Sequence, residues 1–119
     1  MDLEPAIAVA LQIVRTPAAG WATCHGGGWT ASGQAGADKL PLPWLPAGIS
    51  LSASEGAGEV QTPLRIPSGL DLALGDPVFF RPAKAGEPAE HAREYLLVRG
   101  DRIVDRAPTY RGHGGCFLG

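Results

Sequence analysis

The sequence predicts a mostly β fold: a single barrel-like domain of short, largely antiparallel strands joined by long Gly/Pro-rich loops. Three observations carry this expectation. With 17 glycines and 11 prolines in 119 residues, long helices are suppressed and turns are well supplied. Apolar residues come in short alternating or continuous runs rather than at helical spacing. The two-residue connection Gly100-Asp101 between Tyr95-Leu96-Leu97-Val98-Arg99 and Arg102-Ile103-Val104-Asp105-Arg106 suits the tight turn of an antiparallel hairpin.

Each element follows in order. Residues 6–14 contain Ile7, Val9, Leu11, Ile13 and Val14 without polar residues at helical spacing, which favours a buried strand ended by Thr16-Pro17-Ala18-Ala19-Gly20. Trp21-Ala22-Thr23-Cys24 resumes in extended form, and Gly26-Gly27-Gly28 is expected to turn it into a return strand, Trp29 to Ser32. Residues 33–48 hold Pro41, Pro43 and Pro46 and are expected to form a long loop pinned by Leu42, Trp44 and Leu45. Ile49-Ser50-Leu51-Ser52-Ala53 alternates as a half-buried strand does, and Glu59-Val60-Gln61-Thr62 restarts after Gly56-Ala57-Gly58. A turn over residues 72–77 leads into the short strand Val78-Phe79-Phe80, closed by Pro82. Residues 83–92 form the most charged loop. In the final hairpin Val98 is expected to face Ile103, and Leu97 to face Val104, on opposite faces that should both be at least partly covered. The expected core is Ile7, Val9, Leu11, Ile13, Val78, Phe79, Leu97, Val98, Ile103 and Val104.

Charge and composition exclude several function classes. A formal net charge of −2, with ten Lys and Arg residues scattered along the chain, offers no field that gathers nucleic acid or anionic lipid. The apolar run from Ala6 stops at Gln12, far short of the roughly 20 residues that span a bilayer. No secretory signal accompanies it. A soluble cytoplasmic protein is expected, with Cys24 and Cys116 as reduced thiols rather than a bridge.

Few motifs carry chemistry outright. Gly26-Gly27-Gly28 reads as a turn more than as a phosphate nest, because no helix follows it. Cys24, His25, His113 and Cys116 are the ligand types of a zinc site. Neighbours on a strand point to opposite faces, however, so Cys24 and His25 cannot easily reach one ion. No serine sits in a nucleophile elbow, and no residues around His25, His91 and His113 mark a triad. Arg81-Pro82-Ala83-Lys84-Ala85-Gly86-Glu87 is more informative, since a proline-stiffened segment after an apolar strand holds two cations and an acid within a few residues. Composition leaves open whether it is simply a solvated loop.

Several strings are familiar. Gly26-Gly27-Gly28-Trp29-Thr30-Ala31-Ser32-Gly33, Leu45-Pro46-Ala47-Gly48, and Glu55-Gly56-Ala57-Gly58-Glu59-Val60-Gln61-Thr62-Pro63-Leu64 resemble bacterial amino-acid deaminases and aldolases. So do Phe80-Arg81-Pro82-Ala83-Lys84-Ala85-Gly86-Glu87, Glu94-Tyr95-Leu96-Leu97-Val98-Arg99-Gly100 and Pro108-Thr109-Tyr110-Arg111-Gly112. These proteins are similar to D-threonine aldolase and D-serine dehydratase, fold-type III pyridoxal-phosphate (PLP) enzymes that share an architecture with alanine racemase.

The resemblance implies a two-domain parent in which residues 1–119 are the C-terminal β-domain covering the active site. The N-terminal α/β barrel, with the Schiff-base lysine, lies outside the chain. It further implies PLP held mainly by that barrel, a small D- or 3-hydroxy amino acid as substrate, and a homodimeric parent. The reaction is then aldol cleavage, deamination (dehydration) or racemisation, and the isolated chain is expected to be inactive. The family's metal ligands fall on Lys84 and Gly86, neither of which can hold a dication. The implied centre is metal-free, with Lys84, Glu87 and His91 as candidate catalytic residues and the Lys84 ammonium in place of the metal. A reading of a different class, a non-catalytic interaction or dimerisation β-module, stands beside it.

Overall fold

The computed structural model describes residues 3–112. Among the described residues are eight strands: β1 (Val9–Ala18), β2 (Trp21–His25), β3 (Leu42–Leu45), β4 (Ser50–Leu51), β5 (Gln61–Arg65), β6 (Pro77–Arg81), β7 (Glu94–Arg99) and β8 (Arg102–Pro108). One short helix, α1 (Gly86–His91), and a single 3-10 turn at Ala37–Lys39 complete the described elements. The chain is mostly β, and its described residues fall into two compact units that divide between Lys84 and Ala85.

The first unit is a six-stranded sheet in the order β3-β6-β1-β2-β5-β4, antiparallel throughout. Its edge strands β3 and β4 approach each other, so the sheet curls into a nearly closed barrel. The interior follows from the two-residue period of strands. Val9 sits opposite Phe80 and Leu11 opposite Val78; Ile13 sits opposite Cys24. Cys24 sits opposite Thr62 and Ala22 opposite Leu64. Phe80, Val78, Ile13, Cys24, Leu64 and Thr62 are the largest fully buried side chains. The expected core holds for Ile13 and Val78, with Leu11 packed against them. Phe79 is corrected: alternation turns it outward, and Phe80 takes the interior place.

Prolines explain most differences between expected and observed strands. β1 runs on to Ala18 through Pro17, because the β1–β2 register shifts between Arg15 and Ala18 and the missing N–H falls in that irregularity. Leu42–Leu45 is a strand rather than part of a loop, and Pro43 is tolerated because β3 lies at a sheet edge. Pro63 lies within β5 opposite Thr23. Its carbonyl faces the β4 side, where it accepts from the Ser52 N–H at 3.2 Å. Its donor-less nitrogen faces the same way, beyond the end of two-residue β4.

The glycine run does not turn into a return strand, for Trp29 to Ser32 is not extended into the sheet. It packs against the segment before β5 instead. The Gly26 N–H donates to the Val60 carbonyl at 2.8 Å, and the Thr62 hydroxyl donates to the Gly26 carbonyl at 2.6 Å. Gly27 has φ +115, and a Cβ there would stand 2.2 Å from Thr62 Oγ1. Only glycine meets both demands.

The second unit holds α1 and the β7–β8 hairpin. The charged stretch expected as a loop forms a helical turn. Pro88 sits near its start, where an N–H has no partner anyway, and the Ala92 N–H closes the turn on the Pro88 carbonyl at 3.0 Å. Glu87 at the start and His91 at the end suit the helix dipole. In the hairpin Val98 pairs with Ile103 as expected. Leu97 pairs with Asp105 and not Val104, because the register shifts between Leu97 and Val98. Val98 and Ile103 are about 60 % exposed and Leu97 and Val104 nearly half. Both faces are thus covered only in part, and these four residues, expected in the core, do not belong to it.

Candidate functional site

The loop after β6 delivers Lys84, whose Nζ donates to the Ser32 carbonyl oxygen at 2.7 Å. Ser32 belongs to a loop between β2 and the 3-10 turn, closed by the Ala31 N–H donating to the Lys39 carbonyl at 2.7 Å. Ala31 is buried. The second lysine of the chain, Lys39, ends the 3-10 turn and pairs with Asp38. A Cβ at Gly33 would stand 3.3 Å from Lys39 Cε and 3.8 Å from Lys84 Nζ. The two lysines therefore converge over the Ser32–Gly33 backbone. The Lys39 hydrogen bond and charge hold the Asp38 carboxyl below its ordinary range, and Lys84 adds to the effect. The sequence singles out Lys84 but leaves Lys39 in a separate loop, and no local pattern signals a meeting set by the pairing of β3 with β6.

Glu87 and His91 lie one turn apart on α1, with Oε2 and Nε2 3.6 Å from each other. On the same helix Glu90 pairs with Arg111 at 2.7 Å. Gly86, the other position aligned with the family's metal ligands, opens the helix, and its carbonyl accepts from the Tyr110 hydroxyl at 3.5 Å. The structure thus brings Glu87 to His91 in the second unit, and Lys84 to Ser32, Asp38 and Lys39 in the first.

The remaining motifs are structural. Cys24 is fully buried while His25 is exposed, the opposite orientation expected of strand neighbours. Burial pushes the Cys24 thiol up to about 11. Gly26 spends its N–H and its carbonyl on Val60 and Thr62, which supports the packing role over an anion nest. No group of three or more His, Cys, Asp or Glu side chains gathers among the described residues; His113 and Cys116 of the zinc reading lie outside them. A half-open cleft of about 180 Å³ is lined by Trp21, Ala22, Ile66, Leu70, Asp71 and neighbours. Beside it Arg65 stacks over the Trp21 ring, 4.3 Å from its centre.

Comparisons with protein-family profiles, with curated proteins and with solved structures returned no match. Among the described residues no helix is long and apolar enough to cross a membrane.

Proposed function

We propose that the chain is a docking and covering β-domain of a PLP-dependent amino-acid lyase or racemase. In this reading its β7–β8 hairpin contacts another folded body, and its Lys84 loop borders the substrate. The observation that carries the docking part is the hairpin. Leu96, Leu97, Val98, Ile103 and Val104 are all more than 40 % exposed, on a two-stranded sheet that is marginal without a third layer. The second unit also carries both tyrosines and five of the eight arginines but no lysine, the composition enriched at protein interfaces. The string resemblances support the PLP parent, which would supply the Schiff-base lysine and electron sink on its barrel, and the mostly β architecture is compatible with it. A cytoplasmic homodimer acting on a small D- or 3-hydroxy amino acid completes the reading.

Within it, Lys84 places an ammonium where charge develops on substrate oxygen, its direction set by the Ser32 carbonyl. Glu87 and His91 form an acid–imidazole pair able to hold or pass a proton. The coding sequence upstream of Met1 tests the class: an in-frame α/β barrel with a reactive lysine supports it, and a stop codon directly before Met1 overturns it. In the parent enzyme, Lys84→Ala is expected to lower turnover by on the order of 10²-fold, with little effect of chelators on the wild type. Unchanged turnover, or chelator inactivation rescued by zinc or manganese, removes Lys84 from the chemistry. The hairpin favours the plain interaction module equally. That reading predicts that Leu96→Ser with Val98→Ser abolishes association of the parent's domains while Lys84→Ala leaves turnover intact.

A further inference from the structure

We propose that Lys39 and Lys84 form a seat for a small oxyanion, a carboxylate or phosphate group, over the Ser32–Gly33 backbone, with Asp38 as its resident counter-ion. The seat stands on the geometry of the first unit and does not depend on the PLP reading. Three observations define it.

The first is convergence. The chain has two lysines, delivered by different loops, and both approach the position where a Gly33 Cβ would stand, at 3.3 Å from Lys39 Cε and 3.8 Å from Lys84 Nζ. Like charges are not brought together by their own attraction, so the pairing of β3 with β6, Leu42 opposite Arg81, imposes the arrangement. Glycine at 33 leaves the ground between them open.

The second is orientation. Lys84 Nζ spends one of its three donors on the Ser32 carbonyl at 2.7 Å, which fixes the ammonium and leaves two donors for an acceptor. An ammonium is a compact charge with rotatable donors, which suits an oxyanion of either geometry. The third is occupancy by chemistry of the same kind. The Asp38 carboxylate is already hydrogen-bonded by Lys39 and drawn by Lys84. Its Oδ1 lies only 2.6 Å from where a Gly36 Cβ would be, so it is tucked against a second glycine. An incoming anion replaces Asp38 on Lys39 and gains Lys84. Asp38 thereby sets a threshold on affinity without closing the seat.

The experiment is an amide NMR titration of the full chain with sodium phosphate and, separately, sodium acetate, against sodium chloride at matched ionic strength. The expected result is saturable shifts at Ser32, Gly33, Lys39 and Lys84. Lys39→Ala or Lys84→Ala should weaken binding about tenfold or more, while Lys84→Arg retains it. Asp38→Asn should tighten it about threefold to tenfold by removing the competitor. Preference for acetate marks a carboxylate seat and preference for phosphate a phosphoryl seat. Shifts that track chloride without saturating, or saturable binding that survives in the Lys39→Ala, Lys84→Ala double variant, overturn the proposal. Asp38 and Lys84 are exposed and Lys39 is partly covered, and unchanged barrel resonances in each variant separate loss of the seat from loss of the fold.

Discussion

Gly27→Ala tests the packing of the barrel mouth most directly. The residue has φ +115, where an L side chain costs about 1–3 kcal/mol. The new methyl would also stand 2.2 Å from Thr62 Oγ1 and 3.0 Å from Leu11 Cδ1. Thr62 is fully buried, so relief must come in one of two ways. If the backbone shifts, overpacking adds about 1–3 kcal/mol. If Thr62 rotates away, its 2.6 Å bond to the Gly26 carbonyl and its 3.3 Å bond from the Gly58 N–H are lost, again about 1–3 kcal/mol. Either route brings the total to about 2–6 kcal/mol, a large share of the roughly 5–15 kcal/mol typical of a domain. Gly69→Ala is the internal control, because Gly69 has φ +87 but nothing within 4 Å of its Cβ position. It should show the backbone term alone. Urea unfolding followed by tryptophan fluorescence measures both, and Gly27→Ala should exceed Gly69→Ala by about 1–3 kcal/mol. Equal losses at the two positions would refute the argument that Thr62 dictates glycine at 27.

Three further outcomes follow from burial and from the resemblance. Phe80→Ala should cost about 3–5 kcal/mol and Phe79→Ala much less, since Phe80 is fully buried and Phe79 is 38 % exposed; denaturant midpoints of the two variants decide. For Cys24 burial raises the folded pKa to about 11, above that of a free thiol. The unfolded chain therefore loses its proton first, and stability should hold below pH 9 and fall as pH rises toward 11. Cys24→Ala should flatten that slope, and thiol titration in a Cys116→Ser background should find Cys24 unreactive until the chain unfolds. Finally, the isolated chain is expected not to retain PLP after borohydride treatment and dialysis; stoichiometric retention on Lys39 or Lys84 would show that the chain carries its own aldimine lysine.

What the sequence alone determined was local. Glycine and proline content, short apolar runs and the Gly100-Asp101 turn were enough for a mostly β, barrel-like domain, for the Val78–Phe80 strand and for the β7–β8 hairpin. These features depend on backbone freedom and on the two-residue period, both of which act over a few neighbouring residues. Where a proline's missing donor matters depends on what lies beside it, so Pro43 at a sheet edge, Pro17 in a register shift and Pro63 beyond the end of β4 passed unforeseen. The hairpin register turned on one irregularity between Leu97 and Val98, which moved Val104 out of line with Leu97. Of the candidate site, Lys84 was legible because it follows a strand in a proline-stiffened loop, whereas the pairing of Glu87 with His91 needs a helix that a loop reading does not contain. The meeting of Lys84 with Lys39 and Asp38 belongs to tertiary structure alone. It arises because β3 and β6 pair and the Ala31–Lys39 bond closes the loop beside them. Contacts between loops distant in sequence are set by which strands pair, and no local pattern encodes that.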